Sequence, residues 1–193
     1  MNQLMKPFTA KLFVLSFIAL FWYASTAFTW ALGSEAEGRQ EKLNGGYYLL
    51  YHLCGDEAQL PLLIDMKHTS AEIESFADRI SKTAKESNAV LEQMQDGDPA
   101  LKLNRNPLPP IERDVRASIE DEKQHQLLFG TSAAEFERAL LVSQIEASNY
   151  ASNIAKVLAE QETDSKRIKS LEKISSRWLA IHQESFRLLA AIK

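Results

Sequence analysis

Two side chains stand where a helical core could turn them to chemistry, Glu57 and His182. Glu57 follows Leu53 by four residues and precedes Leu60 by three, and His182 follows Trp178 by four and precedes Ser185 by three. At 3.6 residues per turn, both spacings put a titratable group on an apolar stripe. A carboxylate removed from water needs a hydrogen bond or an opposite charge, and an imidazolium or a metal ion would supply one. The two residues therefore read as a hydrogen-bonded pair, as two separately satisfied groups, as part of a metal site, or as boundary positions that face water. Ferritin-like di-metal bundles take glutamates from all four helices and place each histidine three residues after a glutamate. Neither Glu57 nor His182 belongs to such a motif.

The other reactive residues point to less. Glu122 and His125 have that three-residue spacing, but they lie in the polar run EDEKQHQ, a wet helical face that would hold at most a surface ion. Cys54 is the only cysteine, so no internal disulfide and no CxxC metal or haem motif exists. It reads as a buried core thiol, with an intermolecular disulfide as the sharper alternative. His52 is two residues away from it, which puts the two on different helix faces and makes a poor nucleophile pair. His68 falls in a turn beside Lys67 and Thr69, and Met66 reads as core filler, not as a haem ligand opposite His182. The sequence implies no catalytic residue, no cofactor and no enzyme.

Helical periodicity supplies the elements that must position Glu57 and His182. From Tyr47 to Met66 the chain is apolar enough for a first helix, which Gly55 and Pro61 bend or restart near Asp56. A second helix carries Ile73, Phe76, Ala77, Ile80, Ala84, Ser87, Val90, Leu91 and Met94 on one face. Ser132 and Glu135 form a capping box for a third, whose stripe reads Phe136, Ala139, Leu140, Ser143, Ala147, Tyr150, Ile154 and Val157. The last opens near Thr163 and Asp164 and runs through Leu171, Ile174, Trp178, Ile181, His182, Ser185 and Leu188 almost to the C-terminus. Residues 95–109 are rich in Asp, Asn, Gly and Pro and predict a loop crossing the bundle. After it, Pro109 and Pro110 start a shorter helix in which Ile111, Val115 and Ile119 should face inward. The fold class is all-α: an antiparallel four-helix bundle over residues 46–193 with a short extra helix.

Ahead of the bundle, LFVLSFIALFWYASTAFTWALG, residues 12–33, is an uncharged apolar run behind Lys6 and Lys11. This is the plan of a secretory signal peptide, and the run is also long enough to remain as a membrane anchor. In either case the flanking lysines keep the N-terminus in the cytoplasm and send the body to the far side. Residues 34–45 read as a polar tether. The remaining chain of about 160 residues is one domain's worth. A net charge of −4 offers no basic surface to nucleic acid.

Three segments resemble a family of exported bacterial proteins with a ferritin-like four-helix bundle, of unknown function and often described as outer membrane proteins. They are EAQLPLLIDMKHTSAEIESFADRI from Glu57 to Ile80, LLFGTSAAEFERALL from Leu127 to Leu141, and RWLAIHQESFRLL from Arg177 to Leu189. The resemblance spans about residues 55–190 and rests on their order and spacing. It implies a ferritin-like bundle in which Glu57 and His182 match ligand positions. The family's aspartate–histidine pair falls here at Thr83 and Ala84, and its third-helix histidine falls at Ser148. The resemblance therefore implies a degenerate site holding at most half of a ligand set.

Three readings of function follow. The first is a non-catalytic exported bundle of the bacterial envelope, periplasmic or held at the inner membrane, that acts by binding a protein or envelope partner. The second is a ferritin-like metal-binding or redox protein using Glu57 and His182. The third is a membrane-anchored sensor or assembly factor, favoured if residues 12–33 stay uncleaved.

Overall fold

The computed structural model describes residues 37–192 except His68 and residues 129–131, and gives backbone alone at residue 120 and residues 123–128. The expected export or anchor segment, residues 1–33, lies outside the described residues. The chain divides after Glu41 into two units, and the second, Lys42–Lys193, contains the bundle. Residues 37–57 are helical (α1), followed by α2 (Leu60–Ile64), α3 (Ala71–Gly97), α4 (Pro110–Leu128), α5 (Ala133–Gln161) and α6 (Ser165–Ala191). There is no strand among the described residues, and no helix among them is long and apolar enough to cross a membrane.

Local chemistry sets the boundaries. The first helix ends at residue 57, and Pro61 at the start of α2 suits a position whose amide has no helical acceptor. Ser132 caps α5 as the sequence implied: the Glu135 amide donates to its hydroxyl at 3.4 Å, and its own amide donates to the Glu135 carboxylate at 2.9 Å. Asp164 caps α6, accepting from the Lys166 and Arg167 amides at 2.8 and 2.9 Å.

Side-chain contacts give each helix its direction. The Tyr51 hydroxyl donates to Glu92 at 2.8 Å and the Ser81 hydroxyl to the Ala58 carbonyl at 2.8 Å, so α1 and α3 are antiparallel. Four ion pairs climb the α3–α6 seam in opposite chain order: Glu72–Arg187 at 3.3 Å, Arg79–Glu184 at 2.6 Å, Glu86–Arg177 at 2.6 Å and Asp98–Arg167 at 2.5 Å. The middle of α1 meets the end of α5, where Tyr47 donates to Glu162 at 2.6 Å and a Cβ on Gly46 would lie 2.8 Å from Leu158 Cδ2. A side chain at position 46 would have to push the Leu158 methyl aside. Ser152 donates to the Ser175 carbonyl at 3.0 Å across the antiparallel α5–α6 seam. It follows that α1 and α6 run in one sense and α3 and α5 in the other, with residues 98–132 carrying the chain and α4 from one end of the bundle to the other.

The core centres on Trp178, Tyr47, Phe76 and Phe136, all fully buried. The stripes expected for α3 and α6 are the faces they bury. Two other stripes are corrected. On α5, Ala139, Tyr150 and Val157 are exposed, and the buried face is instead Phe136, Leu140, Leu141, Gln144, Ser148, Ala151, Ser152, Ala155, Leu158 and Ala159. Its middle stretch is small or polar because α5 lies close against α6, and bulky side chains there would hold the helices apart. On α4, Ile111, Val115 and Ile119 are 72%, 47% and 48% exposed, so its apolar stripe faces water. Met66 is also exposed, not core filler.

The expected tether differs as well. Residues 37–45 are helical, and Leu43 and Asn44 are buried within the bundle unit. Asn44 holds the crossover: its amide nitrogen donates to the Ala100 carbonyl at 3.1 Å, and its oxygen accepts from the Lys102 amide at 3.0 Å. Leu101 and Leu103 then plug into the core.

Candidate binding groove

An open groove of about 670 Å³ lies between α1, α4 and α5, within the range of ligand pockets in folded proteins. Its floor comes from consecutive turns of α1, with Leu49 and Leu53 four residues apart, and from Ala147 of α5. Aromatic rings stand beside the floor: Tyr48 and His52 pack at 4.1 Å between centroids, and Tyr150 faces them from α5. The α4 wall carries Arg113, Arg116 and Ala117. Arg116 Nε donates to Glu112 at 2.8 Å and its guanidinium sits 6.0 Å from the centre of the Tyr150 ring. The bond to Glu112, followed by that to Tyr150, holds the Arg116 guanidinium more firmly protonated than usual. Toward the end of α1 the lining turns acidic, with Asp56, Glu57 and Glu146.

Glu57, half-buried, therefore belongs to this groove. His182 does not. Its Nδ1 lies 3.0 Å from the Ile145 carbonyl, which can only accept, so that nitrogen carries the proton; the ring meets Phe186 edge-on at 5.0 Å. Helix α5 stands between the two residues: Ile145 receives His182 from the α6 side, while the next residue, Glu146, lines the groove with Glu57. The antiparallel meeting of first and last helices expected from a simple up-down order is replaced by two helices running the same way.

The positions where a ferritin-like family would place further ligands do not supply them. Ala84 is fully buried, and Thr83 offers its carbonyl to the Ser87 hydroxyl at 2.7 Å. Ser148 is fully buried and donates back to the Gln144 carbonyl one turn earlier. Among the described residues no three His, Cys, Asp or Glu side chains are grouped to share a metal ion. Thr83, Ala84 and Ser148 do not fit a di-metal centre.

Around the same level the core is unusually polar. Gln144 Oε1 and Asn88 Oδ1 are buried with no hydrogen-bond partner among the described residues. Cys54, fully buried beside Ser87 and Trp178, has its thiol pushed up to about 12, chiefly by burial, which makes it an inert packing group. Stripe counting missed Gln144 and Ser148 because its phase ran one residue early, through Ser143 and Ala147. At the far end of the bundle, Tyr47, Glu162, Arg167 and Asp98 form a chain of charge-assisted bonds, with Arg167 Nη2 3.2 Å from Glu162 and Nη1 2.5 Å from Asp98. Burial and then the bond to Glu162 push the Tyr47 hydroxyl far above its ordinary value, so it stays a donor.

No signal in a single stripe announces the groove, because its walls are three segments far apart in the chain. No family model, curated protein or solved structure matches this chain.

Proposed function

We propose that the chain is a non-catalytic, exported helical-bundle protein of the bacterial envelope that acts by binding, and that the α1–α4–α5 groove is where it binds. The observation that carries this reading is the groove itself: an apolar floor at Leu49, Leu53 and Ala147 left open beside a ring of aromatic and charged side chains. The finer architecture proposed is ferritin-like. Its support is a single long crossover, residues 98–132, joining two antiparallel pairs, α1 with α3 and α5 with α6. Residues 12–33 supply the export address.

The test is binding of an apolar fluorophore, anilinonaphthalene sulfonate, to the protein recovered from the envelope. Saturable binding is expected, and Ala147→Trp, which fills the floor from an incompletely buried position, should abolish it. Unchanged binding to that variant would remove the groove from the proposal. N-terminal sequencing of the recovered protein checks the export claim: a new terminus near residues 25–33 means cleavage, an intact one means an anchor, and recovery in the cytosol alone would overturn it.

A further inference from the structure

We infer that the groove's occupant is an amphipathic helix of a protein partner, carrying an acidic residue and a basic residue about two turns apart on either side of an apolar patch. This rests on the groove being a binding surface, as proposed above, and adds what it selects. The argument is the order of charge along the groove. Helix α4 starts at the end where Pro107 packs against Gly45, and it runs in the same sense as α1. Its Arg113 and Arg116 therefore precede Ile119 along the groove, whereas on α1 the aromatic Tyr48 comes first and Asp56 and Glu57 come last. Helix α5 runs the other way, so Tyr150, beside Arg116, comes before Glu146.

Arg113 and the Glu112-paired Arg116 thus stand at one end, carboxylates at the other, and Leu49, Leu53 and Ala147 between them. With Arg116 at the level of Tyr150, Arg113 lies one turn before it and Glu146 one turn beyond, which separates the two by about 10 Å along the axis at 1.5 Å per residue. On a helical ligand that is the distance from one residue to the seventh after it, which also lies on the same face, with the third and fourth residues between them pointing into the apolar floor. Three helices forming the walls suit a fourth lying along them. Asp56, Glu57 and Glu146 also interact within the chain, so the ligand's base would join an existing set of contacts. A nucleic acid or an anionic membrane would be repelled by that end, and a small apolar molecule would be indifferent to the polarity.

Alanine-based helical peptides of about fifteen residues, labelled for fluorescence anisotropy, test this directly. All carry two central leucines, flanked about seven positions apart by lysine and glutamate, by two lysines, or by two glutamates. The lysine–glutamate peptide should bind the full protein about tenfold more tightly than either like-charged peptide, and replacing its leucines by serine should abolish binding. Arg113→Glu, at an exposed position, should move the preference to the two-lysine peptide, and Glu146→Lys, which leaves Asp56 and Glu57 at that end, should narrow the lysine–glutamate peptide's advantage over the two-glutamate peptide. Equal affinity for the three peptides, or a preference that neither variant moves, overturns the inference. So does a concentration-dependent dimer that closes the groove to peptide. Dye binding without peptide binding would leave the groove as a binding site and remove the helical partner alone.

Discussion

Helices α6 and α4 are both amphipathic, and the bundle treats them in opposite ways. In α6 the stripe Leu171, Ile174, Trp178, Ile181 and Leu188 is buried against α3 and α5. In α4 the stripe residues Ile111 and Val115 are turned to water and Ile119 stays half-exposed at the groove, which it lines with Arg113, Arg116 and Ala117. A stripe tells which residues a helix groups together; the neighbours decide whether anything covers them. For α6 two long helices do. For α4 the side toward the bundle carries Arg113, Arg116 and Ala117, and Ile111 and Val115 are left over.

The comparison breaks if α4 contributes to the core as α6 does. Replacing Phe136, fully buried where α5 begins, by alanine should cost about 3–5 kcal/mol in denaturant unfolding. Val115→Ala on the exposed stripe should stay within about 0.5 kcal/mol. Comparable losses at the two positions would mean that α4 buries its stripe. Next in size is Arg167→Met, which strips a partner from buried Glu162 and should cost about 2–3 kcal/mol. The same variant has a signature in pH. The bond from Arg167, with help from the Ala100 amide, holds the Asp98 carboxyl below its usual range. A carboxyl with a lowered folded pKa contributes stability above its unfolded value, about 3.9, and loses it as pH falls through the lowered one. Arg167→Met should flatten the part of the acid loss that Asp98 contributes; an unchanged acid limb would show that this pair carries none of it.

Smaller effects sharpen the picture of the α5–α6 seam. Gln144→Met replaces a buried acceptor without a partner by an apolar chain of similar shape, and a gain of about 1 kcal/mol is expected. A loss would mean that ordered water completes the glutamine's bonds. Last, Glu57→Gln and His182→Leu act on opposite sides of α5 and should add to within about 0.5 kcal/mol in a double-mutant cycle. A clear coupling would restore the pair that stripe spacing suggested.

What could be read in the sequence was local. Ser132 and Glu135, three residues apart, carry their cap whatever surrounds them, and Asp164 needs only the two amides that follow it. The stripe of α6 was legible because its core residues are large. The phase of α5 was not, since a face of Gln144, Ser148, Ala151, Ser152 and Ala155 has the composition of a wet surface and becomes core only through the closeness of α6. The bend between α1 and α2 announced itself through Gly55 and Pro61. Residues 37–45 look like a linker by composition, yet Asn44 is the clamp for a loop whose Ala100 and Lys102 are distant in sequence. Glu57 and His182 were expected to face the bundle interior, and both are only half-buried; what periodicity could not say is that a helix separates them. A groove walled by three remote segments has no one-dimensional signature at all.

The ion pairs between α3 and α6 are partly exposed, and each adds little to the free energy of folding. Their signs nevertheless alternate along α3: glutamate at 72, arginine at 79, glutamate at 86. Shift one helix past the other by a single rung, about two turns, and Arg79 would confront Arg177 while Glu72 confronted Glu184. Apolar attraction is non-directional and carries no sign, so by itself it accepts either register. The charges do not. They act as a key cut with alternating teeth, nearly worthless as adhesive, whose value lies in the misaligned bundles that it refuses.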